Sequence, residues 1–107
     1  MRTSPLTNIF DHWTQPSYEI RVRGTTSPTY LWGSAVMENQ TFEKPLVLHI
    51  RNDPLGESIT LSTQASGTAT AIGTLNKGEC VSIPVQAMSG VFATCTLESV
   101  VGCLIKE

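Results

Sequence analysis

The sequence has little charge, and its few basic residues are scattered along the chain. Of its 107 residues 15% are charged, with seven Lys and Arg, nine Asp and Glu, and a formal net charge of -2 at pH 7. A protein that binds a nucleic-acid duplex usually displays a basic patch that displaces counterions from the phosphates. Neither nucleic acid nor an anionic membrane surface is therefore an expected partner.

Long hydrophobic runs are also missing from the sequence. No apolar stretch approaches the ~20 residues that a membrane-spanning helix requires. Residues 1–8 contain neither the apolar segment nor the small-residue cleavage site of a signal peptide. Together with the free thiols that are argued below, these features predict a cytoplasmic protein.

The inventory of catalytic and metal-binding residues is equally thin. The chain has two histidines, His12 and His49, and no closely spaced set of Cys, His or carboxylate ligands of the kind that binds zinc. It has no nucleophile elbow and no Gly-rich phosphate loop. We therefore predict no catalytic residue, no metal and no cofactor. A small enzyme that uses His49, or Asp11 with His12, is the least favoured function.

What the sequence does contain is a series of short apolar runs separated by turn residues. Residues 18–23 alternate apolar and charged side chains, which is typical of a strand with one face in water. Further runs follow at residues 30–37, 46–50, 58–63 and 68–75. No window shows the 3.6-residue apolar period of a helix.

These runs predict an all-β fold. About seven or eight short strands with regular turn signals favour an antiparallel β-sandwich or a small barrel. We expect residues 1–107 to form a single domain. Residues 1–16, which contain two prolines, are expected to form an extended N-terminal arm.

Residues 78–105 contain three apolar runs that we interpret as a C-terminal three-stranded antiparallel meander. In the register that gathers the apolar side chains on one face, Cys95 joins the core, whereas Cys80 and Cys103 lie on the opposite face of non-adjacent strands. Such strands are roughly 10 Å apart, which is beyond disulfide reach. We therefore expect three free thiols and a reducing compartment. The opposite face is too apolar for water, so the arm or a second subunit should cover it.

The clearest functional asymmetry is the crowding of aromatic residues into residues 1–42, with Phe92 as the exception. Asp11 and His12 adjoin Trp13, and Arg21 lies on a nearby strand. A flat aromatic surface beside hydrogen-bonding groups suits a sugar ring, because the aromatic face covers C–H bonds while polar groups fix the orientation. The alternative is that these aromatic residues belong to the core and attach the arm to the sheet.

A polar loop at residues 51–57 adds further candidates at the end of the predicted sandwich, where binding loops commonly gather. We therefore predict a non-enzymatic, lectin-like carbohydrate-binding module. Its predicted ligand-binding residues are Asp11, His12, Trp13, Arg21, Asn52 and Asp53. The alternative is an oligomeric structural or protein-interaction domain, such as an inhibitor or an assembly subunit. The expected partners are thus a glycan or a protein, and we expect a homo-oligomer.

Overall fold

A computed structural model describes residues 17–106, which form eight β-strands and no helix. Accordingly, this part of the chain contains no helix that is long and apolar enough to cross a membrane. The strands are β1 (Ser17–Arg23), β2 (Thr29–Gly33), β3 (Val47–Asn52), β4 (Ile59–Ala65), β5 (Thr68–Leu75), β6 (Cys80–Pro84), β7 (Gly90–Cys95) and β8 (Glu98–Lys106).

The strands form two antiparallel four-stranded sheets whose inner faces enclose the core. Sheet A has the strand order β1-β8-β3-β6, and sheet B has the order β2-β7-β4-β5. Eight strands that alternate between two sheets in this order form a jelly roll, which combines two Greek keys. The prediction of an antiparallel β-sandwich of seven or eight strands is confirmed.

The predicted C-terminal meander is wrong. Strand β7 lies in sheet B between β2 and β4, whereas β6 and β8 lie in sheet A on either side of β3. The prediction paired strands that follow one another in the sequence, because sequential strands are usually neighbours. A meander would place the inward-facing apolar side chains of all three strands on one side of the core. Distributing the three strands over both sheets lets those side chains face each other across the sandwich.

The core lies between the sheets and is built from the inward-facing side chain of every second strand residue. Its buried members are Val22, Leu31, Leu48, Ile50, Ile59, Leu61, Leu75, Ile83, Val85, Val91, Ala93, Cys95, Val101 and Cys103. Trp32 and Phe42 pack against this cluster, and their ring centroids are 6.2 Å apart. At least these two aromatic residues therefore have a structural role.

The three cysteines are unpaired, and only Cys80 is exposed. Cys95 lies in the core, as predicted, but the placement of Cys103 on an outer face is wrong. Strand β8 pairs with β3 in a register that sets Cys103 opposite Ile50, which points into the core. Burial raises the pKa of the Cys103 thiol to about 12, so this sulfur carries little thiolate at neutral pH. The reducing compartment stays a prediction.

We expect a thiol reagent to modify only Cys80 in the folded protein, because thiolate character and access decide cysteine reactivity. Titration with Ellman's reagent should detect one thiol per native chain and all three after denaturation. The Cys80→Ser variant should show no reactive thiol before denaturation. Rapid labelling of Cys95 or Cys103 in the native wild-type protein would contradict their buried positions.

Candidate functional site

The two sheets differ in charge. No residue in the four strands of sheet B is charged, whereas the strands of sheet A contain acidic and basic side chains. The charged residues of sheet A are Glu19, Arg21, Arg23, Arg51, Glu98 and Lys106. Charged residues are depleted at the centre of protein interfaces, so sheet B is the better candidate for a contact surface.

Strand β5 forms one edge of sheet B and is exposed along almost its whole length. Seven of its eight residues are exposed, Leu75 is buried, and the strand contains no charged residue and no proline. One side of β5 pairs with β4, and its other side has no strand neighbour within residues 17–106. Such an edge presents unpaired N–H and C=O groups and is a template for another chain.

The other three edge strands have features that discourage pairing. Strand β1 carries Glu19, Arg21 and Arg23. Strand β2 has five residues and an irregular register with β7. Strand β6 also has five residues and ends at Pro84. Charge, short length, irregularity and proline all protect a sheet edge. Of the four edges, β5 is therefore the least protected.

Strand β5 has one irregularity of its own. Its register with β4 shifts where Leu61 pairs with Gly73 and Ser62 pairs with Ala71. Gly73 adopts a φ of 140°, a conformation that favours glycine. Residues 68–71, with the sequence Thr-Ala-Thr-Ala, pair regularly with β4. These four residues are the part of the edge that is best suited to accept another strand.

The start of β5 is fixed by a contact between the β4–β5 turn and the loop after β2. Ser66 and Gly67 form the turn with φ values of 52° and 79°, which are typical of a type I′ hairpin. The backbone N–H of Ser66 donates to Asn39 Oδ1 at 2.7 Å, and Asn39 Nδ2 donates to Ser66 Oγ at 2.9 Å. Asn39 thus holds the hairpin against the body of the domain.

A cleft of about 460 Å³ lies beside this contact. Its lining residues are Ala35, Met37, Glu38, Asn39, Gln64, Ser66 and Gly67. Gln64 is 8% exposed, and its Oε1 accepts a hydrogen bond from the Tyr30 hydroxyl. Its Nε2 donates to the carbonyl of Ala35 at 3.5 Å, which is at the long limit for a hydrogen bond. The amide of Gln64 therefore retains donor capacity.

The structure describes three of the six predicted ligand-binding residues. Asp11, His12 and Trp13 lie outside the described residues, so their role stays a prediction. Arg21 is exposed on β1, and its Nε lies 3.2 Å from Oε1 of Glu98. An exposed ion pair of this kind adds little stability, and it leaves the guanidinium at the surface.

Asn52 is buried and is not available to a ligand. Its exposure is 0%, and both ends of its side-chain amide bind other parts of the chain. Nδ2 donates to the carbonyls of Glu57 at 2.7 Å and Leu75 at 3.1 Å. Oδ1 accepts a hydrogen bond from the Ser99 hydroxyl at 2.5 Å. The expectation that this residue lies on a surface loop is wrong, because its polar atoms are bound inside the fold.

Asp53 follows β3 and is half-buried at the same end of sheet A. Its Oδ1 accepts a hydrogen bond from the backbone N–H of Leu55 at 2.9 Å, which stabilises the turn after β3. Its own N–H donates to the carbonyl of Val100, the residue that pairs with Arg21. The register of β8 therefore brings Arg21 and Asp53 to one end of the sheet, whereas the side chain of Asn52 is buried there.

The pairing of β3 with β6 places two polar contacts side by side on the outer face of sheet A. His49 Nδ1 lies 2.8 Å from Ser82 Oγ, and Arg51 Nη1 donates to Cys80 Sγ at 3.1 Å. Burial, with a further contribution from Lys106, lowers the pKa of His49 and favours the neutral imidazole. Within residues 17–106 no group of three or more His, Cys, Asp or Glu side chains is placed to hold a metal ion.

The run at residues 68–75 correctly predicted strand β5, but neither its position at a sheet edge nor the cleft beside its turn was predicted from the sequence. A signal was present in the sequence, because residues 58–76 contain no charged residue and have Ser-Gly at their centre. A two-residue turn of small or polar residues between two β-branched runs indicates a hairpin. If one strand of an uncharged hairpin lies at a sheet edge, that edge lacks the protection that charged side chains usually give.

The described residues thus define a jelly-roll domain with one unprotected sheet edge. No protein-family model matches the chain, and a search of curated proteins finds no match. The chain is similar to a solved structure described as "Bacillus endospore appendages form a novel family of disulfide-linked pili". The TM-score is 0.51 at 14% sequence identity, and the match covers 85% of this chain and 83% of that chain. At this identity, the likeness shows the fold alone.

We expect the Asn52→Ala variant to be strongly destabilised. It leaves the carbonyls of Glu57 and Leu75 and the hydroxyl of Ser99 without their partner, at about 1–3 kcal/mol for each buried group. The free energy of unfolding should therefore fall by about 3 kcal/mol or more, as measured by urea denaturation.

The matched control is Asp53→Ala, the next residue along the chain. Its hydrogen bond to Leu55 is exposed, so the loss should stay below about 1 kcal/mol. Equal losses in the two variants would contradict the special role of the buried Asn52 amide.

Proposed function

We propose that this chain is a structural subunit that self-associates through the edge of strand β5. The observation that supports the proposal most directly is the strand itself, with seven of eight residues exposed and none charged. Soluble proteins usually protect such an edge by charge, proline, short length or a covering segment. A second copy of the chain would cover it by extending the sheet.

The fold comparison supports an assembly role over a role in ligand binding. The similar structure is that of a pilus protein, and a pilus is an assembly of repeated subunits. The likeness supports an assembly role, whereas the contact between subunits at β5 is inferred from the edges of the two sheets in this chain.

Hairpin geometry indicates which backbone groups would form the contact. Ala65 and Thr68 flank the two-residue turn as a hydrogen-bonded pair, and bonded pairs alternate along an antiparallel ladder. Ala69 and Ala71 therefore direct their N–H and C=O groups away from β4. An antiparallel partner strand would bind at these two residues, where the small side chains offer no obstruction.

We propose that the partner strand is β5 of a second copy, related by a two-fold axis. This arrangement is self-complementary, because each copy presents the same uncharged strand to the other. It joins two copies of sheet B into one continuous sheet of eight strands. It also removes the free edge from both subunits.

We expect Thr70→Lys to abolish this association. Thr70 is exposed in the regular half of β5, and in an antiparallel pair of β5 strands the two new ammonium groups would lie close together and repel. Sedimentation or light scattering up to about 1 mM protein should show the wild-type mass rising from 11.6 kDa toward twice that value, because a short interface gives weak affinity. The variant should remain a monomer.

The matched control is Thr96→Lys, which makes the same change at an exposed position between β7 and β8. It should associate as the wild type does. A wild-type protein that stays monomeric over the whole concentration range would refute the proposal. So would association that is equally strong in Thr70→Lys.

The carbohydrate-binding hypothesis at the residues chosen from the sequence stays a prediction with weaker support. Arg21 and Asp53 lie at the same end of sheet A, but Asn52 between them in the sequence is buried and bound internally. No comparison supports a glycan ligand, whereas the fold comparison does support an assembly subunit.

A further inference from the structure

The cleft beside the β4–β5 turn presents polar groups that suit a small ligand, and it involves none of the six ligand-binding residues predicted from the sequence. It is a shallow cleft of about 460 Å³ that is open to solvent, because all of its lining residues except Gln64 are exposed. It is formed by two segments that Asn39 connects, so its walls are held in place.

The most informative residue of the cleft is Gln64. More than nine-tenths of this residue is buried, yet it lines the cleft. The Tyr30 hydroxyl fixes its carbonyl oxygen, so the orientation of the amide is determined. Its NH₂ group has two hydrogens, and the structure gives it one acceptor, the carbonyl of Ala35 at 3.5 Å. A buried amide with unused donor capacity at the wall of a cleft favours a ligand that presents an acceptor oxygen.

The other polar groups of the cleft complement this donor. The Ser66 hydroxyl accepts a hydrogen bond from Asn39, which leaves its own hydrogen available for a ligand. The Glu38 carboxylate accepts hydrogen bonds only. A ligand must therefore accept from Gln64 and Ser66 and donate to Glu38. Adjacent hydroxyl groups meet both requirements, because each hydroxyl donates and accepts.

The lining also excludes other classes of ligand. It contains no Lys, Arg or His to attract an anion, and Glu38 would repel one. One carboxylate without His or Cys is too few for a metal ion. The walls contributed by Ala35 and Met37 are apolar, but they are too small for a wholly apolar ligand. We infer that this cleft binds a neutral, hydroxyl-rich ligand of the size of one sugar residue.

The inference can be tested by titrating ¹⁵N-labelled protein with methyl glucoside, N-acetylglucosamine and glucuronate. The neutral sugars should shift the side-chain amide of Gln64 and the backbone amides of Glu38 and Gly67, with a Kd on the order of 1 mM. Glucuronate should bind more weakly, because its carboxylate faces that of Glu38.

Two variants separate the contributions of the cleft. Ser66→Ala removes one donor, while the Ser66 N–H still binds Asn39 Oδ1, and it should weaken binding of the neutral sugar about five-fold, as expected for one hydrogen bond. Glu38→Gln removes the repulsion and should raise the affinity for glucuronate relative to the neutral sugar. Glu43→Gln makes the same change on an exposed loop residue outside the cleft and should change neither affinity.

The outcome is independent of self-association, because Thr70→Lys leaves the cleft intact and should bind the neutral sugars as the wild type does. The inference is overturned if neither neutral sugar shifts the cleft resonances at about a hundred times the expected Kd, where binding would be nearly complete. It is also overturned if the shifts map elsewhere, or if glucuronate binds as tightly as the neutral sugars.

Discussion

The buried amide of Asn52 is the interaction on which the arrangement of the strands around β5 depends. A jelly roll must pass the chain from one sheet to the other several times, and each passage leaves backbone groups outside a ladder, where they need other partners. Asn52 provides hydrogen-bond partners for such backbone groups at the point where β3 ends. Its side chain binds the carbonyls of Glu57 and Leu75 and the hydroxyl of Ser99. Its backbone N–H donates to the backbone carbonyl of Glu79, so one residue joins four segments of the chain.

This junction also holds the segment that follows β5. The carbonyl of Leu75 binds the Asn52 side chain, and the N–H of Gly78 donates to the Asn52 carbonyl. At this point the chain leaves sheet B and enters sheet A as β6. No later strand among residues 17–106 returns to the free side of β5. The topology thus creates the open edge, and the uncharged composition of β5 leaves it without protection.

The sequence predicted the strands better than it predicted their partners. Alternation placed strands at residues 18–23, 46–50 and 58–63, close to β1, β3 and β4. In β8, however, Val101 and Cys103 alternate with Val100 and Leu104, so both faces are apolar and periodicity cannot select the inner one. The position of Cys103 was wrong for this reason, whereas the meander was wrong because it paired strands that follow one another in the sequence. Which face is buried depends on β1 and β3, which are distant in the sequence.

The same limit applies to the candidate site. Asn52 opens an Asn-Asp-Pro-Leu-Gly segment whose composition indicates a surface turn. Its burial depends on Ser99, which is 47 residues away along the chain. The turn chemistry does describe the neighbouring Asp53, whose side chain binds the backbone of Leu55. Local rules thus succeeded where a local contact fixes the residue, and failed where a distant one does.

Magnitudes indicate what kind of contact the edge of β5 can form. Ala69 and Ala71 from each of two copies would contribute about four backbone hydrogen bonds, each with a net value near 1 kcal/mol. Association costs an estimated 4–15 kcal/mol in lost translational and rotational freedom, so these bonds alone give at most a weak dimer. Side chains beside the edge must add to it, and Ile72, which is 45% exposed, is the largest apolar one on β5. An edge of this strength determines the register and direction of a contact, while stable assembly requires that the contact be repeated or combined with others.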